Sequence, residues 1–116
     1  MSTILQDVTK SPHFEWALYM VFEDADGNLH VVTELDASLE SCSLADHEAN
    51  VGPLLRMITN HPLVHCVDIG SYRRTGAKIV LVEGVYQGRG VHAFETIRQE
   101  STSLTQALAA ALLELP

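Results

Sequence analysis

Between Phe14 and Leu35 the chain reads FEWALYMVFEDADGNLHVVTEL, and this stretch constrains the fold more than any other. Phe14, Trp16, Leu18, Met20 and Phe22 recur at every second position, the period of a strand, so five apolar side chains share one face. Glu15, Ala17, Tyr19 and Val21 fall on the other. Asp26 and Gly27 then give a turn signal, because glycine readily takes the left-handed backbone that tight hairpin turns require. The β-branched residues of LHVVTEL favour a returning strand. The stretch therefore predicts a β-hairpin over residues 14 to 35.

Residues 36 to 43, DASLESCS, are small and polar and suit a connection ending in a helix cap. Ser43 with Asp46 resembles a capping box, which predicts a helix starting near Leu44. Gly52 and Pro53 interrupt it, so the helix either kinks there or begins again with Pro53 in its first turn and runs to about Asn60. Three strands follow as a meander, near Val64 to Arg73, Lys78 to Gln87 and Val91 to Arg98, separated by RTGA and GRG. The unbroken apolar run at Ile79 to Val82 points to a strand central in its sheet, and Gly84 marks a bulge. Ser103 and Gln106 form a second capping pair. Behind them Leu104, Leu108, Ala111, Leu112 and Leu115 lie along one helical stripe whose burial contributes more than about 6 kcal/mol gross. The expected fold is α+β: a single domain of element order ββαβββα, with a mostly antiparallel five-stranded sheet and the helices packed on it.

Charge is unevenly distributed. The net charge is −8, yet residues 1 to 50 hold ten acids against Lys10 alone, a balance of −9, while residues 51 to 116 hold five acids and six bases, a balance of +1. A segregated negative charge attracts a basic partner and repels nucleic-acid phosphates. No stretch approaches the roughly 18 apolar residues of a membrane span. The N-terminal MSTILQDVTKSPHF lacks the basic and apolar regions of a secretory signal, so a cytoplasmic protein with Cys42 and Cys66 as thiols is expected.

Several motifs begin and fail. Asp24, Asp26 and Asn28 fill the first three ligand positions of a calcium loop, but Leu29 and Leu35 stand where its glycine and its bidentate glutamate belong. GSYRRTGAK has the wrong glycine spacing for a phosphate loop and leads into a strand rather than a helix. HEANV starts like a zinc-protease helix, with Val51 in the second histidine's place, and Pro62 separates His61 from His65. His65 and Cys66 are adjacent, and neighbouring strand residues point to opposite faces, so they do not pair as base and nucleophile. The basic turns YRRTGAK and YQGRG lie at opposite ends of the meander and do not sum to a nucleic-acid patch.

In size, charge and lack of a catalytic constellation the chain is similar to many phage-encoded accessory or anti-defence proteins and to toxin-immunity proteins, a similarity that rests on no matched motif. The leading expectation is a non-enzymatic inhibitor-like module, without cofactor or metal, that docks a protein partner with a basic surface through Glu23, Asp24, Asp26, Glu34 and Asp36. Nucleic acid and membrane are not expected as partners. A second expectation is a small-ligand or catalytic domain using His65, His92, Cys66 and Asp68 in a cleft. A third is a homo-oligomeric structural subunit, possible as a homodimer, pairing through the strand from Phe14 to Phe22 or through an open sheet edge.

Overall fold

The apolar stripe from Phe14 to Phe22 is turned toward the core, but only its end is a strand. A computed structural model describes residues 3 to 33 and 42 to 116. In it a short helix, α1 (Thr3–Val8), which the sequence reading did not anticipate, buries Leu5 and Val8. The chain then turns twice, with Phe14 N–H donating to Ser11 O and Leu18 N–H to Glu15 O. Phe14 packs edge-on against Trp16, whose indole stacks over Phe22 at 6.0 Å, so the period-two residues meet around a bend instead of along an extended strand.

Strand β1 (Met20–Glu23) pairs antiparallel with β2 (Leu29–Val32), with Val21 opposite Val31 and Glu23 opposite Leu29. The expected turn is confirmed. Asp24 Oδ1 accepts from the backbone of Asp26 and of Asn28, at 2.9 Å each, and Gly27 sits at φ +84°. On the other side of β1 lies β3 (Ser43–Leu44), a buried two-residue strand opposite Glu23 and Phe22. The helix expected from Leu44 is thus displaced. Residues 48 to 50 form a short 3-10 helix, capped by His47 Nδ1 accepting from Ala49 N–H, and α2 (Val51–Thr59) follows with Pro53 in its first turn.

Asn50 explains the displacement. Its side chain is fully buried and bonds at three points: Oδ1 accepts from Val21 N–H at 2.7 Å, and Nδ2 donates to Val21 O at 3.1 Å and to Ala45 O at 2.8 Å. Residues 43 to 45 are therefore held extended along β1, and the helical turn waits until the chain has passed them. The expected Ser43–Asp46 cap is replaced by a long-range one. Asp46 accepts from Ser103 Oγ and from Gln106 Nε2, at the start of α3 (Leu104–Glu114). A carboxylate at that end of a helix is favoured by the helix dipole.

A second sheet holds β4 (Val64–Ser71), β5 (Lys78–Gly84) and β8 (Ile97–Ser101), with β5 in the middle as its apolar run predicted. The β4–β5 register shifts between Val64 and Cys66, which places the bulge at His65, across from Gly84. Gly84 is also where the expected long strand ends. A Cβ there would meet the Phe94 backbone nitrogen at 3.0 Å and its ring at 3.1 Å, so glycine admits the crossing chain. The intervening residues make a separate small hairpin, β6 (Tyr86–Gly88) and β7 (Val91–His92), whose turn carries Gly88, Arg89 and Gly90 at positive φ. The last sheet strand accordingly begins at Ile97 and not at Val91.

The expected α+β class holds, but the single five-stranded sheet does not. The described residues form two three-stranded sheets and one hairpin, in the order αβββαβββββα. The last helix, α3, packs against α1, α2, β5 and β8, and its buried side chains share one core with Phe22 and Leu44 of the first sheet. Its apolar surface exceeds the predicted stripe: Ala107, Leu108, Ala109, Ala111 and Leu112 are all buried, with Leu115 just past its end. They belong to one core cluster that also contains Leu5, Phe22, Leu54, Val80 and Val82.

Replacing Asn50 with leucine, which keeps the volume but leaves the Val21 amide and the Ala45 carbonyl unpaired, should cost about 3 kcal/mol. Urea unfolding would show a lowered midpoint with an unchanged slope, and wild-type stability would refute the bridging role of the amide.

Candidate functional site

The acids chosen from sequence divide into three groups. Glu34 and Asp36 lie outside the described residues. Asp24 is committed to its own turn: besides the two backbone bonds, its Oδ2 meets His30 Nε2 at 2.7 Å. Glu23 and Asp26 are exposed and, among the described residues, neither is paired with a cation. The hairpin tip therefore presents negative charge that no cation among the described residues neutralises.

The hydrogen bond from His30, followed by those from the Asn28 and Asp26 amides, holds the Asp24 carboxyl below its ordinary value of 3.8. A depressed folded-state pKa means that the stabilisation is present above the ordinary value and fades as the pH falls through the lower one. The Asp24→Asn variant should therefore lose part of the wild-type fall in thermal midpoint with acidification, as scanning calorimetry across the acid range would read.

Beside the acids lies a feature that sequence reasoning missed. Tyr19, Leu29 and Val31 are 72%, 52% and 65% exposed. The register puts Leu29 and Val31 on one face of the β1–β2 pair, and Tyr19, two residues before Val21, is on that face too. Strand alternation alone does not distinguish these residues from core ones. Leu29 and Val31 belong to β2, the outer strand of its sheet, and Tyr19 lies just before β1.

Of the residues proposed for a catalytic cleft, Cys66 and Asp68 converge while His65 and His92 do not join them. Cys66 and Asp68 lie on one face of β4, and Glu83, directly opposite Cys66 on β5, completes the group. One ligand-type atom from each of the three lies within 4.8 Å of the others, the one such cluster among the described residues. The thiol donates to Glu83 Oε2 at 3.2 Å. That bond, then desolvation, then the charges of Glu83 and Asp68, raise the Cys66 pKa above its ordinary value and hold it as the protonated thiol, the weaker nucleophile and ligand. Glu83→Gln should accordingly speed alkylation of Cys66 by iodoacetamide at mildly alkaline pH, and an unchanged rate would show that the carboxylate does not govern the thiol.

His92 and His61 have structural partners. His92 Nδ1 lies 3.0 Å from Gly84 O, and its ring packs against Tyr86. His61 Nδ1 accepts from Leu63 N–H, which leaves Nε2 to donate to Pro116 O at 2.9 Å, and His13 packs edge-on against the ring. His65 occupies the bulge and is exposed. A cavity of about 560 Å³ at the start of α3 is lined by Asp46, Glu48, Lys78, Ser103 and Thr105. Several of its polar groups are already satisfied, Ser103 by Asp46 and Thr105 Oγ1 by His47 O at 3.2 Å. No helix among the described residues is long and apolar enough to cross a membrane.

No family of known proteins matches the chain, and comparison with curated proteins and with solved structures likewise finds no match.

Proposed function

We propose that the protein is a non-enzymatic binding module whose acidic N-terminal half docks a basic surface on a partner protein. The observation that supports this reading is the segregation of charge, −9 over residues 1 to 50 against +1 over the rest, with Glu23 and Asp26 exposed at a hairpin tip and free of a cationic partner among the described residues. Exposed like charges held close together cost stability through self-repulsion, and a partner that supplies the opposite sign relieves it. Their field also steers encounter, so association should be fast at low salt and slow steeply as salt rises. Where the partner is a nucleic-acid-binding enzyme, the carboxylates act as phosphate mimics and the module is an inhibitor, the role of small anti-defence and immunity-type proteins.

The test reverses charge without touching the turn. Glu23→Lys combined with Asp26→Lys leaves Asp24 and its hydrogen bonds in place. Affinity capture from the native host at low salt should recover basic proteins with the wild type and lose them with the double variant. Recovery of the same proteins by both would sink the reading.

A further inference from the structure

The backbone of β2 adds a second recognition element to the acidic tip. Val21 spends its own N–H and C=O on Asn50 and Ala45, on the side of β1 that faces away from β2. Val21 and Val31 are therefore a non-hydrogen-bonded pair of the ladder, and the N–H and C=O of Val31 point outward. Beyond Phe22 and His30, the bond from Asp24 N–H to Asn28 O at 2.9 Å fixes a further hydrogen-bonded pair, so Leu29, opposite Glu23, points its backbone outward as well. Among the described residues no strand pairs with this edge, and the side chains of the same two residues are exposed.

Native proteins blunt such edges with bulges, prolines or charges on the strand itself. The outer strand β4 of the second sheet does so, with a bulge at His65 and with Asp68 exposed along it. Strand β2 carries no bulge or proline and, apart from His30, which is held by Asp24, presents the apolar Leu29, Val31 and Val32.

We propose that the β2 edge receives an extended segment of the partner by strand addition, and that the segment alternates apolar and basic residues. This rests on the acidic docking reading and specifies its mode. An added strand inherits the two faces of the sheet. Its apolar residues fall on the face of Tyr19, Leu29 and Val31, which also carries Glu23 opposite Leu29, and its basic residues fall on the other face of the open edge, beside His30 and Val32, where the exposed Asp26 of the adjoining turn and the negative field of the N-terminal half favour them. A second copy of the chain is the poorer occupant, because it would set one −9 half against another.

The experiment measures binding of a fluorescent hexapeptide of alternating lysine and valine by anisotropy at low salt. Two controls remove strand pairing and keep charge: the same peptide with alternate amides N-methylated, and the Val31→Pro variant. Proline at Val31 deletes only an outward N–H, so the β1–β2 ladder survives. The wild type should bind the plain peptide, and each control should weaken binding roughly tenfold or more. If the methylated peptide binds equally well while Glu23→Lys/Asp26→Lys binds poorly, strand addition is overturned and acidic docking stands. If the charge-reversed protein binds as well as the wild type, the basic character of the partner is overturned. Absence of binding to the plain peptide overturns the proposal too. So does a dimer in light scattering that Val31→Pro dissociates, since the occupant is then a second copy. Should Val31→Pro not fold, the methylated peptide on the wild type decides.

Discussion

The carboxamide of Asn50 is the contact on which the N-terminal half depends. It is fully buried, and every one of its bonds goes to backbone: two to Val21 and one to Ala45. A two-residue strand such as β3 cannot satisfy β1 along its length, so the amide completes the ladder where β3 stops. Asn50 also stands at the N-cap of α2, where its side chain makes no capping bond because it is used on the sheet. One residue thereby fixes where a helix starts and how a strand is held. The buried polar side chains of the described residues all find partners, so the bridge is part of a fully satisfied interior.

The same bridge sets an asymmetry in the first sheet. On the Asn50 side β1 is closed, and β3 beyond it is buried and packs against α1. On the other side β2 is the outer strand, and the alternation imposed on Val21 aims Leu29 and Val31 outward. The acidic turn lies at the end of that strand. Charge, apolar surface and unpaired backbone thus meet at one place, as a recognition surface for an extended segment requires.

The site was legible in the sequence only in part. Asp24, Asp26 and Gly27 were readable as a hairpin turn, and their richness in acid was visible by counting. That Asp24 is consumed by the turn and by His30 was not, because one carboxylate reads the same in a string whether it faces solvent or two amides. Glu83 was missed beside Cys66 for a similar reason. The two are 17 positions apart, and only the cross-strand register, shifted by the bulge at His65, sets them opposite one another. Asp46 read as a local cap for a helix at Leu44, but its partners Ser103 and Gln106 are more than 50 positions away.

What the sequence determined by itself was local: the turns at Asp26–Gly27 and within RTGA, where Gly76 takes a positive φ, the central strand from Lys78, a ladder irregularity at Gly84, and the apolar face of the last helix. These follow from backbone preference and from side-chain period, which act over a few residues. The tertiary structure alone decided how the pieces are divided. Aromatic packing of Phe14, Trp16 and Phe22 bent a predicted strand, Asn50 displaced a predicted helix, and the passage of Phe94 over Gly84 split a predicted meander. Each is a contact between residues whose pairing no local pattern records, and together they turned one expected sheet into three.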